Sequence, residues 1–328
     1  MSMRKIIYLL VGLIFITGCG DKKQVDIIYD STYYQVASPY KEAVGSYSIS
    51  SYDKNEVESM LMNLSTNYFK TNNSLYQQGQ YLDSEELKTL INLYNETEKI
   101  KVDNVEIDPK YIVSIYEQNY LTTNNNLKGI SLAIVVTNKQ YYNQNKLYKI
   151  VDEKIVLDYA ISKANELVKY MYAKEELKNT RIVVGIYLQS NNTLKGSFKY
   201  IGESNKDSIK LQNVNYNYQS LDSNYIMNND TETYNSILAI KQSLNDYNTL
   251  YLNPIGLYKD KTLVRVDLTV NKSYFSNVEI LSLARIITSN FGSFDSNIQI
   301  NVYFKSNNSI KAYIVKKEEK IETYILEE

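Results

Sequence analysis

The sequence predicts an α+β fold of two related domains from an internal duplication, each a mainly antiparallel sheet with helices packed on one face. Three observations predict it. Short stretches recur in the same order: Asn138-Lys139-Gln140-Tyr141-Tyr142 returns as Asn271-Lys272-Ser273-Tyr274-Phe275, and Ser190-Asn191-Asn192-Thr193-Leu194-Lys195 as Ser306-Asn307-Asn308-Ser309-Ile310-Lys311. The same patterns surround both copies: an extended run, an apolar helical stripe, a strand, an Asn-Asn turn and a further strand. In the second copy the strand alternates cleanly, with Ile298, Ile300, Val302 and Phe304 on one side and Gln299, Asn301 and Tyr303 on the other. A sheet with one wet face has this pattern. Chance similarity in a chain rich in Asn, Lys and Tyr is the alternative, and two ordered matches within one element order weigh against it.

The chain opens like a secretory signal. Arg4 and Lys5 form a cationic start, Ile6 to Ile16 is apolar apart from Gly12, and Ile16-Thr17-Gly18-Cys19 follows. An aliphatic residue, two small residues and a cysteine make a lipobox, where a diacylglyceryl transferase modifies the thiol and the lipoprotein signal peptidase cuts between Gly18 and Cys19. The apolar run is shorter than the ~20 residues that span a bilayer core. An ordinary signal peptide ending by chance in cysteine is the alternative; the small residues before Cys19 and the polar Gly20-Asp21-Lys22-Lys23 after it argue against that. The expected division is 1–18 signal peptide, 19–30 tether, 31–203 first repeat domain and 204–328 second. Lipid on Cys19 is then the membrane anchor, on the extracytoplasmic face, at ~0.8 kcal/mol per buried methylene.

Three helical patterns follow the tether. Val57, Met60, Leu61, Leu64 and Tyr68 recur at 3.6 spacing, as do Leu87, Leu90, Ile91 and Tyr94 behind an Asp83/Glu86 capping box. Asp108-Pro109 resembles an N-cap with proline at N1 ahead of Tyr111, Ile112, Ile115 and Tyr116, although this segment is also rich in strand formers. In the first copy the helical stripe is Leu157, Ala160, Ile161, Ala164, Leu167 and Met171. In the second it is Ile280, Leu283, Ala284 and Ile287, with Ser276/Glu279 as capping box and Gly292 as stop. Thr231 to Tyr247 reads as a further helix. Offsets of 133 residues at the first matched pair and 116 at the second place about 17 extra residues in the first copy. Both Asn-Asn pairs read as hairpin turns, since Asn tolerates positive φ. Lys316-Lys317-Glu318-Glu319-Lys320 reads as a solvated turn.

Pro39-Tyr40-Lys41-Glu42, Leu64-Ser65, Phe69, Leu75-Tyr76-Gln77-Gln78-Gly79-Gln80-Tyr81-Leu82, Tyr116-Glu117-Gln118-Asn119-Tyr120 and Leu127-Lys128-Gly129-Ile130 together resemble the CamS-type sex pheromone lipoproteins of Firmicutes. The likeness covers most of the body, in a shorter chain with a shorter tether. It implies a duplicated domain, and a hydrophobic peptide cut from the residues before the lipidated cysteine that signals in conjugative plasmid transfer. The aligned stretch is Gly12, Leu13, Ile14, Phe15, Ile16, Thr17 and Gly18, with glycine where the family's peptides have alanine-rich ends.

Little else in the sequence points to chemistry. With no histidine and one cysteine in 328 residues, Ser-His-Asp and Cys-His arrangements and His/Cys zinc sites are excluded. No glycine pattern cradles phosphate. Ser51-Tyr52-Asp53-Lys54 has Ser-x-x-Lys spacing in a chain crowded with both residues. No catalytic residue, metal or cofactor is expected. Removal of the signal leaves 34 cations against 37 anions, too mild a charge to recruit nucleic acid. The 33 tyrosines, with abundant Asn, Ile and Lys, read as a bias toward AT-rich codons in preference to an aromatic binding surface. The body reads as a non-catalytic binding module for an unidentified ligand or envelope partner, with a groove between the repeats. A solute-binding lipoprotein of a transporter is the alternative, though that usually needs alternating parallel βα units.

Overall fold

A computed structural model of the chain describes residues 34–37, 45–206, 208–247 and 249–326. Cys19, the Gly12–Gly18 stretch and Pro39-Tyr40-Lys41-Glu42 lie outside them. The first half comprises β1 (Gln35–Val36), α1 (Lys54–Ser65), β2 (Leu75–Gln78), α2 (Ser84–Tyr94), β3 (Ile100–Val102), β4 (Val105–Ile107), β5 (Ile112–Leu121), β6 (Leu127–Val136), β7 (Lys139–Tyr142), β8 (Leu147–Ile150), α3 (Glu153–Ala173), β9 (Arg181–Leu188), β10 (Ser197–Ser204) and β11 (Ile209–Asn213). The second comprises β12 (Tyr216–Ser220), α4 (Asn224–Asn229), α5 (Thr231–Ser243), β13 (Tyr251–Lys259), β14 (Thr262–Asn271), α6 (Asn277–Thr288), β15 (Gln299–Ser306), β16 (Ser309–Lys317) and β17 (Lys320–Ile325).

Two main sheets result, ordered β1-β2-β5-β6-β9-β10-β11 and β12-β13-β14-β15-β16-β17. They share order and sense over five strands. An antiparallel pair (β5–β6, β13–β14) leads through a helix into a parallel neighbour (β9, β15), and two antiparallel strands follow (β10–β11, β16–β17). The first sheet ends at Asn213 and the second begins at Tyr216, so the passage between them is Val214-Asn215. The polar stretch after residue 203 supplies edge strand β11, whose Ile209 and Leu211 pack against the first core.

Helical periodicity translates directly into burial. Val57, Met60, Leu61 and Leu64 of α1 are buried, as are Leu87, Leu90, Ile91 and Tyr94 of α2 behind a complete Asp83/Glu86 capping box. Ala160, Ala164, Leu167 and Met171 of α3, and Ile280, Leu283, Ala284 and Ile287 of α6, seal one face of each sheet. At ~1.5–3 kcal/mol for each fully buried large side chain, these faces dominate the favourable terms. One helix lies elsewhere: α1 packs on the opposite face of the first sheet, against Val113, Ala133, Val135 and Val183.

Six local expectations are corrected. Tyr111 to Tyr116 is not a helix but the start of central strand β5, where Ile112, Val113 and Ile115 are buried between α1 on one face and α2 on the other. Pro109 here precedes a strand. The repeat register slips by one in its first strand: Val136 faces Leu188 while Val270, not Thr269, faces Phe304. Asn138-Lys139 opens the added β7–β8 hairpin, whereas Asn271 still belongs to β14, so the matched words occupy different places; the hairpin and a helix of 21 rather than 12 residues hold the extra length. Asn307 and Asn308 form a two-residue turn with φ of 49° and 67°, but Asn191-Asn192 lies inside a longer loop between β9 and β10. Gly292 falls in a 3-10 turn after α6, which ends earlier, at Ser289, with its N–H bonded to Arg285 and Ile287 carbonyls. Lys316 is 6 % exposed, its ammonium donating to the carbonyls of Asp295 (3.2 Å), Ser296 (2.9 Å) and Ile298 (3.1 Å), while Glu318 and Glu319 alone make the turn.

The segments Leu75–Leu82, Tyr116–Tyr120 and Leu127–Ile130 meet at one corner of the first sheet. Pairing of β2 with β5 sets Tyr76 opposite Tyr120, and Phe69 stacks on Tyr120 at 4.5 Å. Gly129 leaves the room that the Phe69 ring fills, and Ser65 and Ser131 hydroxyls bond at 2.8 Å. Glu117 turns its carboxylate onto the backbone N–H groups of Gln80 (2.9 Å), Tyr81 (3.1 Å) and Leu82 (2.9 Å). Burial pushes this carboxyl up, and the three donors offset part of that rise. A side chain at Gly79 would strike Glu117 at 2.7 Å, so the turn requires glycine there. Glu117→Ala strands three donors, and an unsatisfied buried donor costs ~1–3 kcal/mol. The expected loss is ~3 kcal/mol by urea denaturation, with Glu117→Gln losing less; an unchanged midpoint for Glu117→Ala refutes the role.

Candidate functional site

Equivalent faces of the two sheets meet different fates. In β9 the side chains on the α1 face include Val183 and Tyr187, both buried. Their counterparts in β15 are Gln299 and Tyr303, and among the described residues no helix packs over them. That polar alternation becomes the floor of a groove of about 900 Å³. β13 to β16 supply the floor, the outer side of α1 one wall, and the loop Thr193–Lys195 closes against it. The groove thus lies between α1 and one face of the second sheet.

At one end the wall and floor are tied by charge. Glu56, in the first turn of α1, is 3 % exposed. Its carboxylate accepts from the Tyr218 hydroxyl of β12 and from Lys195 Nζ at 2.6 Å. Arg265 Nη2 on β14 donates to the Tyr218 oxygen at 2.7 Å and lies 4.0 Å from Glu56. Arg265 also grips Asp267 at 3.1 Å, and Asp267 accepts from Asn301 Nδ2 at 2.7 Å. Burial raises the Tyr218 phenol above its ordinary range. Burial also pulls the Arg265 guanidinium down, but Asp267, Tyr218 and Glu56 carry it net upward. A carboxylate this deep is tolerable only because hydrogen bonds and opposite charge surround it. The chain of contacts crosses from α1 to the third strand of the second sheet.

This arrangement ties α1 to the second sheet beside a cleft of mixed polar and apolar lining. Among the described residues no cluster of three His, Cys, Asp or Glu side chains is placed to hold a metal. Ser51 and Lys54 are both exposed and share no hydrogen bond; Ser51 offers its carbonyl to Gln189, and Lys54 lies over the Tyr116 ring. The Ser-x-x-Lys spacing therefore builds nothing. Cys19 and Gly12–Gly18 fall outside the described residues. Sequence reading missed Glu56, Tyr218, Arg265 and Asp267. A faint signal existed: Asp267 and Asn301 occupy the wet phase of neighbouring strands.

Removing the Glu56 carboxylate leaves the buried Tyr218 hydroxyl without its acceptor and Lys195 without its partner, while Arg265 keeps Asp267. An unsatisfied buried donor costs about 1–3 kcal/mol. Glu56→Ala is expected to lower stability by about that much and to separate the transitions of the two domains in calorimetry. A single unshifted transition overturns this reading.

The comparisons with known proteins agree with the fold. The family described as CamS sex pheromone cAM373 precursor matches residues 38–322. Among solved structures, a sex pheromone precursor from Lactobacillus salivarius subsp. salivarius UCC118 is similar at TM-score 0.73 and 19 % identity, covering 84 % of this chain and 87 % of that one. The C-terminal domain of the sex pheromone staph-cAM373 precursor from Staphylococcus aureus is similar at TM-score 0.71 and 21 % identity, covering 84 % and 97 %. At such identities these likenesses speak to the fold. No curated protein matches.

Proposed function

The chain belongs to the CamS sex pheromone precursor family, and from that premise we propose that it is a lipoprotein anchored on the outer face of the cell membrane through lipid on Cys19. The observation that carries the anchor is Ile16-Thr17-Gly18-Cys19 after a short apolar run. No helix among the described residues is long and apolar enough to cross a membrane. Cleavage between Gly18 and Cys19 leaves a remnant ending at Gly18. A second cut near Gly12 releases a heptapeptide whose side chains, Leu13, Ile14, Phe15 and Ile16 among them, carry no charge. Buried together in a receptor groove, these four contribute ~1.5–3 kcal/mol each.

For the body we propose a non-catalytic binding role, supported by the groove between α1 and the uncovered sheet face. Duplication of an ancestral domain accounts for the shared strand order: one copy acquired α1 as a cover and the other kept its polar face open.

Cys19→Ala is expected to leave the precursor uncut and unlabelled by a fatty-acid probe. Normal cleavage and labelling in that variant remove the anchor. Mass spectrometry of culture supernatant is expected to show a fragment ending at Gly18. Its absence, or silence of synthetic Gly12–Gly18 toward plasmid-bearing partner cells, removes the signalling role.

A further inference from the structure

The groove's charges and repeat distance define what it holds. Three acids (Asp53, Glu56, Asp267) and three bases (Lys195, Arg265, Lys305) line it. Four of these neutralise one another as Glu56–Lys195 at 2.6 Å and Arg265–Asp267 at 3.1 Å. Two remain. Among the described residues Asp53 forms no ion pair: it caps α1 by accepting the Glu56 N–H at 3.0 Å. Lys305 likewise meets no carboxylate, its ammonium lying 6.0 Å from the Tyr303 ring centre.

These two lie toward opposite ends. Asp53 sits one helical turn from Glu56, which reaches Tyr218 and Arg265, and Arg265 stands opposite Gln299 in the ladder. Lys305 is six residues further along β15, roughly 20 Å at ~3.3 Å per residue. Between them Gln299, Asn301 and Tyr303 project into the groove at every second residue, a repeat of ~6.6 Å. An extended peptide has nearly the same repeat. Gln299 Nε2 already donates to Asn301 Oδ1 at 3.0 Å and Asn301 Nδ2 to Asp267 at 2.7 Å, which leaves each amide a second N–H and Gln299 its carbonyl for a peptide group. Asn253 on the floor and Asn63 on the wall add further amides, and Met60, Ile255 and Leu257 provide apolar surface.

We propose that the groove binds a free, extended peptide of six or seven residues with uncharged side chains, its ammonium toward Asp53 and its carboxylate toward Lys305. Six residues at ~3.3–3.6 Å each cover the run of β15 from Gln299 to Lys305. Its only charges are its two ends, matching the two charges that the groove leaves unmatched. The inference rests on the reading of the body as a binding module.

The test uses the soluble body from residue 20 onward and a synthetic library of heptapeptides randomised over uncharged residues, with Gly12–Gly18 included. Retained peptides are identified by mass spectrometry, and their affinity is measured by calorimetry. Acetylating the N-terminus and amidating the C-terminus are each expected to weaken binding roughly fivefold, the most that a solvent-exposed ion pair supplies. Asp53→Asn, which keeps the helix cap, and Lys305→Gln are expected to weaken free peptides similarly but to leave the correspondingly blocked peptides unaffected. Equal binding of free and blocked peptides overturns the proposal. Retention of N-acetylglucosamine oligosaccharides instead of peptides overturns it while preserving the binding-module reading. Retention of neither class removes both.

Discussion

The structure depends on where one helix goes. α1 buries Val57, Leu61 and Leu64 on the first sheet, and its Glu56 carboxylate reaches out to a strand of the second. A buried carboxylate needs partners on every side, and here they come from residues 195, 218 and 265. The helix therefore belongs by packing to one domain and by charge to both. Its placement also decides what is left open: the sheet face it covers is apolar, and the equivalent face of the second sheet mixes amides and charges with apolar residues.

That division explains how much of the fold was legible. Stripes at 3.6 spacing and the Asp83/Glu86 box describe local interactions, and they were realised within a residue or two. The alternation of Ile298 to Phe304 correctly announced a sheet with one wet side. Failures arose where distant contacts outweighed local grammar. Asp108-Pro109 is good helix-start chemistry, yet Ile112, Val113 and Ile115 are worth more as a strand sandwiched between helices. Asn191-Asn192 is good turn chemistry, yet Asn191 bonds instead to Asn138 at 2.7 Å within a wider loop.

The groove's anchoring network was harder to foresee. Glu56 in a first helical turn looks like an acid placed for the helix dipole, and nothing nearby in sequence marks it as buried. Composition held one usable clue. Only four of the 36 cations are arginine. Two of these are positions where a planar fork does what an ammonium does not: Arg181 grips Glu203 through both Nε and Nη2, and Arg265 joins Asp267 to Tyr218.

Lys316 has a different consequence. Its ammonium, surrounded by the carbonyls of Asp295, Ser296 and Ile298, occupies the position that a captured potassium or sodium ion takes in a carbonyl ring. Because this cation is covalently part of the chain, it is present at one equivalent whatever the medium holds. The loop that delivers β15 to the groove floor therefore carries its own cation for the carbonyls of residues 295, 296 and 298.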